Sequence, residues 1–229
     1  MIGVFESMRG GLIVSCQSEG DDPFNQPPYL ALFAKAAEMG GAVGIRAQGA
    51  ANITAIAGAV SLPVIGITKS TFPDGSVLVT GDFADVEAVT LAGAAAVALD
   101  ATDRVRPNGM RGAAFLVAVR AACQLPLMAD ISTLEEGDAA LLAGADVVAT
   151  TLSGYTPDTQ GKGDEPDWEL LQGLLRISDR PVIVEGRVWT PDQARRALDL
   201  GAHAVVVGTA ITRPRVVTRK FVDAMRAAG

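Results

Sequence analysis

One lysine and two carboxylates stand at matched places in this chain. Three apolar runs each open on a proline: Pro63-Val64-Ile65-Gly66-Ile67, Pro126-Leu127-Met128-Ala129-Asp130 and Pro181-Val182-Ile183-Val184-Glu185. Ile67, Asp130 and Glu185 each stand four residues after the proline, and Lys69 stands six after Pro63. A proline is tolerated at the first residue of a strand. Strand side chains alternate with a period of two, so these positions share a face. Gln17 and Arg46 end two further apolar runs, and Asp100 ends another, followed by Arg104 and Arg106. Charges gathered in apolar surroundings are unfavourable unless paired. They form either a salt-bridge network closing the top of a sheet or a polar site for a polyhydroxylated anion. In the second case a shielded lysine and a carboxylate can be tuned for proton transfer.

The run that ends on Glu185 and a later one, Ala204–Val207, carry a second signal. Glu185-Gly186-Arg187 and Gly208-Thr209-Ala210 are glycine-bearing loops, with Arg213 just beyond. A glycine lets backbone N–H groups approach an anion closely, and an arginine adds a bidentate contact. Loops at this place in a barrel often hold phosphate, so Gly186, Gly208, Thr209 and Arg213 are phosphate candidates.

The elements that would position these residues repeat. One type of strand follows a helix ending in a glycine-bearing turn, as at Gly40-Gly41, Gly93, Gly144 and Gly201. The other type follows a proline, as above. The two types alternate, and an eighth strand, Gly11–Cys16, precedes them. Eight strands alternating with helices predict an α/β fold, a parallel (β/α)8 TIM barrel, with residues 1–229 as a single domain. An open doubly wound sheet is the alternative, and the even spacing argues against it. Helices are expected over Pro28–Glu38, Ala50–Ala59, Asp82–Ala92, Met110–Cys123, Leu134–Leu142, Trp168–Leu175, Pro191–Leu200 and Arg213–Ala227. The longest irregular segment, Ser153–Pro166, follows the sixth strand, which puts it on the ligand side as a possible lid.

Composition removes several classes of function. A net charge of −7 argues against general binding to nucleic acid or an anionic membrane. No apolar run is long enough to span a bilayer, and the N-terminus lacks signal-peptide character; a cytoplasmic protein is expected. Cys16 and Cys123 form no motif and read as reduced core residues. The only histidine, His203, precedes a strand at the end away from the ligands, which removes Ser–His–Asp and histidine–metal chemistry. No metal and no cofactor is expected.

At this point the residues resemble a known family, the N-acetylmannosamine-6-phosphate 2-epimerases of bacterial sialic-acid catabolism. The matching stretches are GLIVSCQ (Gly11–Gln17), VGIRAQG (Val43–Gly49), PVIGITK (Pro63–Lys69), ALDATDRVRP (Ala98–Pro107), MADISTLEE (Met128–Glu136), TTLSGYT (Thr150–Thr156), VEGRVWTP (Val184–Pro191) and VVGTAITRP (Val206–Pro214). They run in the family's order over nearly the whole chain. The resemblance implies a barrel that interconverts N-acetylmannosamine 6-phosphate and N-acetylglucosamine 6-phosphate by deprotonation and reprotonation at C2 of the open-chain sugar. It implies Lys69 as the main proton-transfer residue and Glu185 as the second. Gln17, Arg46 and Asp130 are implied to contact the sugar, and Arg213 with the last two loops to hold its phosphate. A homodimer is the family expectation, through exchange of the carboxyl-terminal helix around Val216–Ala227; the alternative is that this helix packs on its own barrel. One departure follows Lys69, where Ser70-Thr71-Phe72 stands in place of the family's usual charged pair.

Two other readings are open on the residues alone. Lys69 could form a Schiff base in a phosphosugar aldolase, or the barrel could bind a sugar phosphate without turning it over.

Overall fold

The computed structural model describes residues 3–72 and 76–227. Eight parallel strands close into a barrel in chain order: β1 (Leu12–Cys16), β2 (Gly44–Gln48), β3 (Val64–Ile67), β4 (Ala96–Asp100), β5 (Leu127–Asp130), β6 (Val147–Ala149), β7 (Val182–Glu185) and β8 (Ala204–Val207). Closure comes from β1, which pairs with β2 on one side and with β8 on the other, Val14 standing opposite Val207. This is the (β/α)8 architecture expected from the alternating repeat.

The strands read as apolar runs because both of their faces are covered. Val14, Ile45, Val97, Leu127, Val148 and Val205 belong to the layer shared with the surrounding helices. Ile13, Ile65, Ile67, Met128 and Ile183 form a separate cluster inside the barrel. These larger side chains come from odd-numbered strands. β4, β6 and β8 contribute Ala96, Ala98, Ala149 and Ala204 to the same cluster, so bulky and small residues interdigitate.

Helix starts are set by local chemistry. Thr133 and Glu136 form a reciprocal capping box in front of Leu134–Leu142, and Thr190 and Gln193 do the same for Pro191–Asp199, with Pro191 in the first turn. The other expected helices form over Pro27–Met39, Ala50–Ala57, Phe83–Leu91, Gly112–Ala122, Trp168–Ile177 and Pro214–Ala227, the last preceded by a one-turn helix at Thr209–Thr212 directly after β8. Each expected helix lies within two residues of the expected bounds.

Three features go beyond the sequence reading. A short helix, Gly3–Glu6, plugs the amino-terminal end of the barrel, with Phe5 and Met8 buried in the inner cluster. His203 belongs to this plug, its Nε2 lying 2.7 Å from the Phe5 carbonyl oxygen. The third feature concerns Lys69. β3 stops at Ile67, and Lys69–Thr71 instead pairs antiparallel with Val77–Val79 in a separate two-stranded ribbon. Lys69 therefore reaches the mouth from a hairpin, and strand alternation from Pro63 does not place it. The hairpin is held by Ser70, whose Oγ donates to the Asp85 carboxylate, and by Leu78, which is buried.

Candidate active site

A cavity of about 930 Å³ opens at the carboxyl ends of the strands. Its floor is the inner cluster, represented by Ile67 and Val206, and its polar lining includes Gln17, Arg46, Lys69, Glu185 and Arg213. Gly186, Gly208 and Thr209 line it too.

Arg46 is the centre of its electrostatics. It projects inward from β2 and is 1 % exposed, a cation with almost no access to solvent. Its guanidinium grips Asp130 in a two-pronged contact, Nη1 to Oδ1 at 3.1 Å and Nη2 to Oδ2 at 2.5 Å. The same Nη1 lies 3.1 Å from Glu185 Oε2. Thr151 Oγ1 then donates to Asp130 Oδ1 at 2.7 Å and reaches Glu185 Oε2 at 3.2 Å. Burial by itself disfavours the Arg46 cation, but Asp130 and Glu185 outweigh it and hold its pKa above the ordinary value.

One cation shared by two carboxylates leaves one carboxylate underneutralised. Burial pushes the Glu185 carboxyl up to about 7, against the attraction of Arg46, and the neighbouring Asp130 charge adds to the rise. The Thr151 hydrogen bond and Lys69 act in the opposite direction. Glu185 is thus able to hold or release a proton near neutral pH. Asp130 is fully buried beneath Arg46 and is absent from the cavity lining. Its place in the structure is that of the fixed counter-ion. The salt-bridge network and the polar site, alternatives on the sequence, are here the same group of residues.

Gln17 is buried on the cavity wall, donating through Nε2 to Ser15 Oγ at 2.7 Å. Arg213 donates through Nε to the Gln17 carbonyl at 3.3 Å. Gly186 has φ +104°, a conformation that any side chain would strain. A Cβ on Gly208 would sit 3.2 Å from the Ser15 Cβ, so the β8 loop owes its close approach to β1 to the missing side chain. Of Asp100, Arg104 and Arg106, only Arg104 lines the cavity. Arg104 is anchored through Nη2 to the Asp100 carboxylate and through Nη1 to the Val77 carbonyl at 3.1 Å. Arg106 is buried behind it, with its guanidinium 4.3 Å from the centre of the Phe115 ring.

The segment Ser153–Pro166 lies on the ligand side, and Gly154, Tyr155, Lys162, Gly163 and Asp164 contribute to the wall. It is tied down by Arg187, which donates to the carbonyls of Ser153 and Glu165, and by Ser153 Oγ, 2.6 Å from Asp167 Oδ2.

Thr151 and Gln48 are among the lining residues that the sequence left without a role. Thr151, in the TTLSGYT stretch, binds both carboxylates. Gln48 follows Arg46 by two residues, so period-two alternation was the available signal for it. Gln48 Oε1 and Arg46 Nε are buried without a partner among the described residues, and both residues line the cavity.

A family model described as "Putative N-acetylmannosamine-6-phosphate epimerase" matches residues 30–227. The chain belongs to the N-acetylmannosamine-6-phosphate epimerase family. A family relative from Cutibacterium acnes is 46 % identical over 225 residues, covering 97 % of both chains. Another, from Caldanaerobacter subterraneus subsp. tengcongensis, is 46 % identical over 223 residues, covering 96 % of this chain and 92 % of the relative. The solved structure of the N-acetylmannosamine-6-phosphate 2-epimerase from Clostridium perfringens superposes with a TM-score of 0.91 at 43 % identity, covering 96 % of this chain and 95 % of that one. Membership accords with an isomerase, and the resemblance read from the motifs is thereby established at the level of the family. Among the described residues, no helix is long and apolar enough to cross a membrane.

Proposed function

We propose that this protein interconverts N-acetylmannosamine 6-phosphate and N-acetylglucosamine 6-phosphate by proton exchange at C2. The observation that carries the reading is Glu185, a carboxyl raised to about 7 beside Arg46, in the same cavity wall system as Lys69. Opening the sugar to its aldehyde makes the C2 proton acidic. Removing it gives an enediolate-like intermediate, and a proton delivered to the opposite face inverts the centre. That chemistry asks for two proton-transfer groups on different sides of one carbon. Lys69 follows β3 and Glu185 ends β7, and these strands face each other across an eight-stranded ring. Lys69 and Glu185 are the two proton-transfer groups, and Glu185 exchanges its proton near neutral pH.

Arg46 supplies the electrostatic part. Negative charge develops on the C1 oxygen as the C2 proton leaves, and a dry, fixed guanidinium is preorganised to stabilise it. Asp130 and Thr151 fix that guanidinium, so we read Asp130 as supporting the sugar site through Arg46. Gln17 and Gln48 offer polar atoms to the sugar. The phosphate is assigned to Arg213 with the loops at Gly186 and at Gly208-Thr209. The reaction would serve sialic-acid degradation in the cytoplasm.

The functional unit is proposed to be a homodimer. None of the described residues of Pro214–Ala227 is buried, and Phe221 and Met225 are 69 % and 77 % exposed. Such an apolar stripe is suited to cover a second copy of the chain.

The direct test is to supply N-acetylmannosamine 6-phosphate and follow N-acetylglucosamine 6-phosphate. Wild-type protein should form it, and Lys69→Ala and Glu185→Gln should lose at least about 10²-fold in rate. Absence of product with a folded wild-type protein would refute the reading.

A further inference from the structure

Glu19 stands on the loop after β1, a place where neither periodicity nor motif spacing gave it a role. Its Oε1 accepts from Lys69 Nζ and also from Arg213 Nη2, the latter at 3.4 Å. Lys69 comes from the hairpin after β3 and Arg213 from the segment after β8, so one carboxylate oxygen is shared by cations from two walls. All three residues line the cavity. Burial alone would raise the Glu19 carboxyl, but Lys69 and Arg213 outweigh it and hold it below the ordinary range. Glu19 is therefore an anion at neutral pH.

Its exposure distinguishes it from Asp130. The Glu19 side chain is 47 % exposed, and Arg213 and Lys69 are 25 % and 29 % exposed. Partly solvated pairs of this kind are weak and exchange readily. The Arg213 contact is long and single. Its one other protein acceptor among the described residues is the Gln17 carbonyl.

We propose that Glu19 is the resident anion of the phosphate subsite, which a ligand's phosphate must displace from Arg213, so that it sets how tightly phosphorylated ligands are held. The inference rests on the reading of Arg213 as a phosphate ligand. A phosphate dianion offers several strong acceptor oxygens to the guanidinium where Glu19 offers one. It would also be repelled by a carboxylate left in place. Glu19 thus lowers the affinity of every phosphorylated ligand, substrate and product alike, and keeps release fast. A neutral sugar lacks the charge to replace it.

The test is calorimetric titration of the full-length protein with inorganic phosphate, with thermal melts confirming that each variant is folded. Glu19→Gln keeps an acceptor for Lys69 and removes the charge. It should bind phosphate about five-fold tighter than wild type, and its KM for N-acetylmannosamine 6-phosphate should fall in parallel. Its affinity for unphosphorylated N-acetylmannosamine should not rise. Asp164→Asn removes an equal charge from the cavity wall without a contact to Arg213, and should gain less than about two-fold. Glu19→Ala provides a second variant with the same expectation as Glu19→Gln. A gain in both Glu19 variants no larger than that of Asp164→Asn would overturn the proposal, leaving only a general field effect. Arg213→Ala separates the two levels: it should weaken phosphate binding. Unchanged binding in Arg213→Ala would instead overturn the phosphate subsite itself.

Discussion

Arg46 reaches across the barrel from β2 and places its Nη1 3.1 Å from Glu185 Oε2 on β7. The contact neutralises only part of a cluster that also contains Asp130, which is why the Glu185 carboxyl rises to about 7 from its ordinary 4.5. Between those two values the folded protein binds more protons at Glu185 than the unfolded chain does. Stability therefore falls as pH rises through that window, and the full penalty is present above it. Glu185→Gln should be more stable than wild type at pH 8, by on the order of 2 kcal/mol. The difference should shrink towards pH 5. Urea denaturation at the two pH values would measure it, and the same variant should be inactive at both.

Removing the cation instead of the anion should have the opposite effect. Arg46→Ala leaves Asp130 fully buried without its partner and next to Glu185. Breaking a buried pair in this way costs about 3–5 kcal/mol. Arg46→Lys keeps one charge but lacks the two-pronged grip on Asp130. It should recover part of the stability and little of the rate, as read by thermal melting beside turnover.

The relation between these residues was only half written in the sequence. Asp130 and Glu185 share a position in the proline-led repeat, so strand alternation alone puts them on one face at one end. The glycine turns and the prolines together marked seven of the eight strands, β1 being read from its apolar run alone. Arg46 could be placed at the mouth, but not its choice of partner, since Asp130 lies 84 residues away and the grip depends on the closed geometry of the ring. Lys69 reached the expected cavity by an unexpected route. Its strand partner is Val79, and an antiparallel ribbon inserted after a four-residue strand breaks the period-two argument. Phe5 and Met8 plug the barrel from a helix of four residues and its turn, too short for any periodic signal. Glu19 lies in an irregular loop, and its partners are 50 and 194 residues away.

Arg213 tests the other end of the proposed substrate. Arg213→Ala should raise KM for the phosphorylated sugar by about 10- to 100-fold, the value of one charged hydrogen-bonded contact, with a smaller effect on kcat. Steady-state kinetics with phosphorylated and unphosphorylated sugar would check it. A loss confined to kcat would move Arg213 away from phosphate binding.

The carboxyl-terminal helix makes a prediction about assembly. With Phe221 and Met225 both exposed on Pro214–Ala227, the wild-type protein should behave as a dimer in light scattering. Phe221→Asp combined with Met225→Asp should shift it towards monomer. A monomeric wild type at micromolar concentration would contradict the assignment.

The most direct test of the central claim is proton NMR of N-acetylmannosamine 6-phosphate incubated with the protein in deuterated water. The account predicts that N-acetylglucosamine 6-phosphate appears with deuterium at C2, because protons held by Lys69 and Glu185 exchange with solvent through the open cavity. It also predicts that Lys69→Ala and Glu185→Gln lose this incorporation. Epimerisation that retains the original proton at C2 in wild type, or persists undiminished in both variants, would contradict proton exchange through these two residues.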